Sequence, residues 1–324
     1  MKALSNERGV IAAAAMDQRG SLQKSLAAAR GVDIKEITPE IMSEFKVAVS
    51  KALTPHASAI LLDPEFGLDA ARARSRNAGL LLAYELSGYD NTRAGRLPDL
   101  LPHVSVRRLV EWGADAVKIL IYYNPSEDSK INDVKHAFVE RIGAECETYE
   151  IPFFLEMVGY DPRGGDEKGF EYARAKPEIV KHSMAEFSEA RYRVDVLKVE
   201  IPVNAEYVEA SSVYRGQKAY TRAEALKHFR DTAAAASRPF IYLSAGVGNA
   251  QFTESLRMAS ESGAAYCGVL CGRATWKDGI PVYAKQGLKA FEDWLHRDGV
   301  RNIEAVNEAI RSAAPWYAKT GVPA

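Results

Sequence analysis

The sequence is poor in cysteine and has no long hydrophobic run. Its three cysteines, Cys146, Cys267 and Cys271, form neither a CxxC motif nor a Cys/His ligand pattern, so the sequence indicates neither a disulfide framework nor a zinc site. No run approaches the roughly 20 apolar residues that cross a bilayer. The first residues, with acidic Glu7 ahead of a short apolar stretch, lack the pattern of a signal peptide. We therefore expect a cytoplasmic protein without a membrane partner.

Neither sign of charge is in excess. The 324 residues include 42 Lys and Arg and 43 Asp and Glu, which gives a formal net charge of -1. A chain so balanced has no broad electrostatic attraction to nucleic acid, and we expect its partner to be a small molecule. Hydrophobic residues make up 47% of the chain, which is enough for a large buried core.

Short apolar runs rich in β-branched residues recur along the chain, each followed by a turn and a helical pattern. The eight runs cover residues 10–17, 57–64, 79–85, 116–123, 152–160, 196–202, 240–246 and 266–272. With no linker to mark a second domain, this pattern predicts a single (β/α)₈ barrel domain, an α/β fold, over residues 1–324. Two extra helices are predicted near 281–297 and 302–314. A doubly wound Rossmann sheet is the alternative, but the first run ends in DQRGS without the GxGxxG fingerprint.

Polar residues occur within or just after several of the predicted strands. In barrels of this kind the active site lies at the carboxyl ends of the strands. The candidates are Asp17, Lys118, Glu156, Lys198, Glu200, Ser244 and Arg273. Ion pairs that fill the barrel interior are the structural alternative. Two inward lysines fit that alternative poorly, because interior layers are normally built from Val, Ile and Leu and a buried unpaired ammonium costs several kcal/mol.

The run VLKVEIP places Lys198 and Glu200 two positions apart, hence on one face of a strand. A lysine becomes a nucleophile toward ketones when low dielectric or a second cation, here Lys118, lowers its pKa. The resulting imine withdraws electrons from the adjacent carbon, as carbon–carbon cleavage beside a ketone requires. Glu156 or Asp17 is placed to take the proton from the released hydroxyl. Glu200 is open to two interpretations: a catalytic group, or a structural residue that either pairs with Lys118 or lies on the helix side of the strand.

Glycine, serine and arginine follow the seventh and eighth strands. The segments LSAGVGN (243–249) and GVLCGRATW (268–276) supply backbone N–H groups and a guanidinium at the place where barrels often bind phosphate. Glycines at strand ends are ordinary turn residues. Their occurrence together with the lysine strand nevertheless favours a phosphorylated substrate.

Motifs along nearly the whole chain resemble those of the tagatose-1,6-bisphosphate aldolases, class I Schiff-base enzymes with a (β/α)₈ fold. The motifs are AMDQRG (15–20), LLDPEFGL (61–68), GLLLAYE (79–85), GADAVKILIYY (113–123), IPFFLE (151–156), DVLKVEIPVN (195–204), YLSAGV (242–247) and GVLCGRATW (268–276). The resemblance implies cleavage of tagatose 1,6-bisphosphate into dihydroxyacetone phosphate and glyceraldehyde 3-phosphate without a metal or cofactor. It assigns the imine to Lys198 and acid–base chemistry to Glu156, with Lys118 and Asp17 beside the imine.

The same resemblance implies where the substrate's phosphates bind. The residues assigned to the phosphate on the ketone side are Ser244, Gly246, Gly272 and Arg273. Gln18 and Arg19 of the DQRG motif are assigned to substrate and phosphate binding, with Arg19 or basic loop residues as candidates for the second phosphate. Among the loop residues, Arg163 and Arg215 are expected to be solvated charges instead. The segments 159–177 and 205–222 are expected to form loops over the barrel mouth. A homodimer is also implied.

Three alternatives stay open. Relatives of the family cleave 6-deoxy-6-sulfofructose 1-phosphate, in which a sulfonate replaces the distal phosphate. A barrel that only binds a sugar phosphate would need no inward pair of lysines, yet both are present. A zinc-dependent aldolase needs a His-rich ligand set, whereas the histidines fall in predicted helices or connections. They are His56, His103, His136, His182, His228 and His296.

Overall fold

The computed structural model describes residues 1–89 and 93–319, within which eight parallel strands form a closed barrel. The strands are β1 (Ile11–Met16), β2 (Ala59–Leu62), β3 (Gly79–Ala83), β4 (Ala116–Tyr122), β5 (Phe153–Val158), β6 (Val196–Glu200), β7 (Phe240–Leu243) and β8 (Gly268–Cys271). Each strand pairs with the next, and β8 pairs with β1, where Cys271 lies opposite Ala14. This closure confirms the predicted (β/α)₈ barrel and excludes the doubly wound sheet, which is open.

Helices lie between most of the strands and continue beyond β8. They are α1 (Gly20–Arg30), α2 (Pro39–Leu53), α3 (Leu68–Ala73), α4 (Val106–Glu111), α5 (Ser129–Thr148), α6 (Phe170–Phe187), α7 (Arg222–Ala235), α8 (Asn249–Ser262), α9 (Arg273–Trp276), α10 (Ile280–Trp294) and α11 (Val300–Ala309). Capping residues explain where two of these helices begin: Thr38 caps α2, and Thr221 with Glu224 forms a capping box at α7. The two extra helices predicted near 281–297 and 302–314 are α10 and α11.

Along each strand, every second residue faces the barrel interior, and the residues between them face the surrounding helices. The interior set is Ile11, Ala13, Ala15, Ala59, Leu61, Leu81, Ala83, Ala116, Phe154, Val196, Ile241, Cys267 and Leu270. The opposite set, which includes Val117 and Val199, packs with the helices in the larger core. Leu4 belongs to the interior set as well, and Met1 and Trp316 pack against it. We call these three residues the barrel floor.

Charged residues continue the interior set toward the carboxyl ends of the strands. Lys118 follows Ala116 by two positions, and Lys198 likewise follows Val196. Because strand side chains alternate, both lysines face inward above the apolar layer. The prediction that the two lysines lie inside the barrel is therefore confirmed.

The cysteines are buried free thiols. Cys146, Cys267 and Cys271 form no disulfide in the described part of the chain. Over residues 1–89 and 93–319, no helix combines the length and apolar content needed to cross a membrane. In the same residues no three His, Cys, Asp or Glu side chains are grouped as they would be to hold a metal ion.

Candidate active site

Two lysines share one carboxylate oxygen inside the barrel. Glu156 Oε2 lies 2.8 Å from Lys118 Nζ and 2.8 Å from Lys198 Nζ. The strand register produces this arrangement, because Glu156 on β5 lies opposite Lys198 on β6 and Leu120 on β4. None of the three charged side chains is more than 8% exposed. A carboxylate between two ammonium groups offsets the repulsion that would otherwise oppose their burial.

Lys118 is held as a cation by three carboxylates. Its Nζ lies 2.9 Å from Asp17 Oδ2 and 2.7 Å from Glu85 Oε1, in addition to the contact with Glu156. Desolvation alone would lower the pKa of Lys118, but the three carboxylates together raise it well above its ordinary value. Lys198 has one ion pair among the described residues, with the shared Glu156. Lys198 therefore has fewer carboxylates around its amine than Lys118 has. A nucleophilic lysine requires this, because carboxylates favour the protonated form, which cannot attack a carbonyl.

Asp17 and Glu85 extend this network beyond the ends of β1 and β3. Burial alone would raise the pKa of Asp17, yet Lys118 and Lys198 hold that pKa well below its usual range. Burial raises the pKa of Glu85, and neighbouring cations offset this only in part. Sequence reasoning missed Glu85. The signal was its position at the end of the third apolar run, two residues after inward-facing Ala83.

Gln18 and Arg19 lie beside the network. Gln18 Nε2 donates to Asp17 Oδ1 at 3.2 Å. Arg19 Nη1 donates to Glu65 Oε2 at 2.7 Å, and its Nη2 donates to the Glu85 carbonyl oxygen at 2.8 Å. Three buried polar atoms here, Gln18 Oε1, Arg19 Nε and Glu85 Oε2, have no hydrogen-bond partner among the described residues. Buried polar atoms are normally paired, so three unpaired atoms next to the lysine network are an exception to ordinary core packing.

A buried lysine outside the barrel fixes the turn that carries Asp17. Lys46 on α2 donates from Nζ to the carbonyl oxygens of Met16 at 2.7 Å and Gln18 at 2.8 Å, and to Asp63 Oδ2 at 2.9 Å. Desolvation lowers the pKa of Lys46 and raises that of Asp63, and each group opposes the shift of the other. Both side chains are 0% exposed. This pair thus connects β2 and α2 to the position of the Asp17 carboxylate.

We expect Lys46→Met to lower the free energy of unfolding by about 3–5 kcal/mol, because it leaves Asp63 as a buried charge without its partner. Urea unfolding at neutral pH measures the change. Lys46→Met combined with Asp63→Leu should cost less than the single change, since no unpaired charge then remains. Lys289→Met is the matched control. It removes an exposed pair with Asp293 and should cost less than about 1 kcal/mol. Equal losses for the two single variants would contradict the prediction.

The residues predicted to hold a phosphate lie together after β7 and β8. Ser244 follows β7 and is 6% exposed, and Gly272 follows β8, which pairs with β7. Gly246 has a φ of +78°, and a Cβ atom there would lie 2.6 Å from Arg273 Cζ, so glycine allows the guanidinium to pack against the loop. Lys277 Nζ donates to the Gly246 carbonyl oxygen at 3.0 Å. A guanidinium beside a serine hydroxyl suits a phosphate, because both groups can donate hydrogen bonds to its oxygens.

Glu200 contacts a helix rather than the two lysines. Its Oε1 lies 2.9 Å from Lys176 Nζ on α6, and its Oε2 accepts from the Gly159 backbone N–H at 2.8 Å. The interpretation of Glu200 as a charge partner for Lys118 is therefore wrong, and its interpretation as a residue on the helix side is confirmed. Glu200 is the last residue of β6, where the side chain can turn toward α6. Its contacts stabilise the loop that follows β5.

Comparisons with known proteins identify the family of this chain and agree with its barrel fold. The sequence model of the DeoC/LacD family aldolases matches residues 11–278. A tagatose 1,6-diphosphate aldolase of Listeria monocytogenes is 50% identical over 322 residues, which are 99% of this chain and 94% of that protein. Tagatose 1,6-diphosphate aldolase 2 of Enterococcus faecalis is 51% identical over 323 residues, which are 99% of this chain and 96% of that protein.

Solved structures share the fold at low sequence identity. A fructose-bisphosphate aldolase from Plasmodium falciparum superposes with a TM-score of 0.66 at 12% identity, covering 97% of this chain and 93% of that chain. An archaeal fructose 1,6-bisphosphate aldolase gives a TM-score of 0.58 at 15% identity, covering 95% of this chain and 96% of that chain. These likenesses support the barrel architecture alone.

Proposed function

Because this chain belongs to the DeoC/LacD family of aldolases, and is therefore a lyase, we propose that it cleaves tagatose 1,6-bisphosphate through a Schiff base on Lys198. The products are dihydroxyacetone phosphate and glyceraldehyde 3-phosphate. The observation that carries the proposal is the Glu156 oxygen 2.8 Å from both lysine amines. The names of the relatives, tagatose 1,6-diphosphate aldolases at about half identity, support this substrate.

The first step joins the enzyme to the ketose. The neutral amine of Lys198 adds to the carbonyl carbon C2, and the carbinolamine then loses water to leave a protonated imine. Glu156 is in hydrogen-bond contact with the amine, so it can pass the proton that the amine gives up to the carbinolamine oxygen. A second proton, taken from solvent, then lets this hydroxyl leave as water. The Lys118 cation beside the same oxygen stabilises negative charge that develops at the carbinolamine oxygen.

The second step breaks the bond between C3 and C4. A carboxylate takes the proton of the C4 hydroxyl, the aldehyde forms, and the electron pair of the broken bond moves into the iminium as an enamine. We assign this base to Glu156, with Asp17 and Lys118 orienting the substrate hydroxyls. Protonation of the enamine at C3 and hydrolysis of the imine release dihydroxyacetone phosphate. These steps use no metal or cofactor.

The remaining assignments concern what is bound and how the chain assembles. Ser244, Gly246, Gly272 and Arg273 hold the phosphate on the ketone side, supported by the packing of the Arg273 guanidinium on the Gly246 loop. Gln18 and Arg19 contribute to substrate binding next to Asp17. We further propose a single domain over residues 1–324 that acts as a homodimer, with a phosphorylated ketose as its partner and neither nucleic acid nor a membrane.

Borohydride trapping tests the Schiff base directly. With dihydroxyacetone phosphate and borohydride, we expect one secondary-amine adduct, located on Lys198 by peptide mass spectrometry, and irreversible loss of activity. A protein that binds this ligand without an adduct would be a sugar-phosphate-binding barrel instead. Activity that a chelator removes and zinc restores would indicate the metal-dependent class. Turnover of tagatose and fructose bisphosphates and of 6-deoxy-6-sulfofructose 1-phosphate, measured side by side, determines the preferred substrate.

A further inference from the structure

The connection between β3 and α4 places an arginine at the barrel mouth. The Arg96 guanidinium lies 5.0 Å from the ring centroid of Tyr89, 5.2 Å from that of Tyr122 and 4.8 Å from that of Tyr160. Tyr122 ends β4 and lies four residues after Lys118. Burial raises the pKa of Tyr122, and the Glu156 carboxylate is close enough to add to that shift. Three aromatic faces therefore fix a cation above the catalytic network.

The surroundings of Arg96 hold it in this position. Arg96 has a φ of +47° and follows Gly95, whose φ is +88°. A Cβ atom on Gly95 would lie 2.3 Å from Ile131 of α5, so glycine is needed where the loop meets that helix. A non-glycine residue at positive φ costs free energy and persists where its surroundings enforce it. The backbone is therefore turned so that the Arg96 side chain faces the tyrosines.

Glu167 occupies the open edge of this guanidinium. Its Oε1 lies 2.6 Å from Arg96 Nη2, and the two side chains are 30% and 22% exposed. Glu167 belongs to the loop between β5 and α6, where its Oε1 also accepts from the Asp161 backbone N–H at 3.3 Å. The partner of this fixed arginine is thus a carboxylate on a partly exposed loop.

We propose that Arg96 binds the anionic group at the far end of the ketose, a phosphate or a sulfonate, and that Glu167 takes its place in the free enzyme. A guanidinium held between aromatic rings presents planar N–H donors that match either anion. An incoming anion would displace the Glu167 carboxylate and release its loop. The inference rests on the proposed function, because it requires a substrate with charge at both ends.

Strand order supports this location. The ketone-side phosphate is assigned to the loops after β7 and β8, whereas Arg96 lies over β4, which is opposite β8 in a barrel of eight consecutive strands. Lys198 on β6 lies between these two positions. Arg19 follows β1, which pairs with β8, so it lies on the side of the barrel that is assigned to the ketone-side phosphate. Arg96 is therefore better placed than Arg19 for the distal group.

Steady-state kinetics of Arg96→Gln with three substrates test the proposal. We expect the KM for tagatose 1,6-bisphosphate to rise roughly 10- to 100-fold, the range for losing charged hydrogen bonds. The KM for tagatose 1-phosphate, which has no distal anion, should stay within about twofold of the wild-type value. A rise in the KM for 6-deoxy-6-sulfofructose 1-phosphate as well would show that Arg96 also binds a sulfonate. Glu167→Gln should lower the KM for the bisphosphate several-fold and leave the monophosphate unchanged, since it removes the competing charge.

Arg163→Gln is the matched control. Arg163 lies on the same loop as Glu167, pairs with Asp161 and is 92% exposed. Its loss should therefore change neither the KM for the bisphosphate nor the KM for the monophosphate. Trapping of dihydroxyacetone phosphate on Lys198 should persist in Arg96→Gln, which shows that the variant folds. An equal change of KM for the bisphosphate and the monophosphate would overturn the assignment of Arg96, as would a selective change in Arg19→Gln but not in Arg96→Gln. Absence of trapping in the wild-type protein would instead overturn the proposed function.

Discussion

Lys198→Arg is expected to lower kcat for ketose bisphosphate cleavage by on the order of 10⁴-fold or more, the scale on which losing a covalent nucleophile acts. The guanidinium keeps the positive charge that pairs with Glu156, but it stays protonated in proteins and forms no imine. A coupled assay of the released dihydroxyacetone phosphate measures the rate. Borohydride trapping measures the loss of the adduct independently of turnover.

A variant at the neighbouring Lys118 separates the role of nucleophile from the role of positive charge. Lys118→Arg retains a cation among Asp17, Glu85 and Glu156, so we expect the borohydride adduct to remain on Lys198, although cleavage slows. The thermal unfolding midpoints of both variants report whether the buried network still assembles. Cleavage in Lys198→Arg within tenfold of wild type, or an adduct found on Lys118, would contradict the assignment.

Glu156→Gln is expected to lower kcat by roughly 10²- to 10⁴-fold, the usual contribution of a general acid–base residue. An amide cannot take the C4 hydroxyl proton, and it removes the negative charge that lies between the two ammonium groups. Lys118 keeps Asp17 and Glu85 as partners, so the barrel should still fold. Single-turnover cleavage measured by rapid quench distinguishes slower chemistry from slower product release.

Glu200→Gln is the control for that variant. Glu200 is a carboxylate in the same barrel and is 7% exposed, against 6% for Glu156, but its partner is Lys176 on α6. We expect its loss to affect stability while kcat stays within about tenfold of the wild-type value. Similar losses of kcat in both variants would indicate that any buried carboxylate at the mouth matters, and would remove the special assignment of Glu156.

The alternation of strand residues made the barrel and its two lysines predictable. A period of two places every second residue inward, and an inward lysine is rare enough to signal chemistry. The same rule placed Glu200 on the face of Lys198, but Glu200 is the last residue of β6 and its side chain turns toward Lys176 on α6. The same rule could have identified Glu85, because Glu85 continues the series of inward-facing residues of β3.

Other parts of the site depend on contacts between distant segments. Lys46 lies on an amphipathic helix, where periodicity assigns a face but cannot show that an amine reaches the carbonyl oxygens at the end of β1. Arg96 lies in a connection without periodic pattern, and its three tyrosines come from separate segments. Such arrangements follow from tertiary packing, which a single sequence does not encode in its spacing.

The barrel floor has a consequence for the order of events during turnover. Met1, Leu4 and Trp316 pack beneath an apolar interior, so water and product approach Lys198 through the mouth, where the substrate also enters. Under the proposed mechanism, glyceraldehyde 3-phosphate then has to depart before a hydrolytic water reaches the remaining imine. Release is therefore sequential, with the aldehyde first and the ketone last. Product inhibition should show dihydroxyacetone phosphate competing with substrate for the free enzyme, and glyceraldehyde 3-phosphate acting on the enamine form.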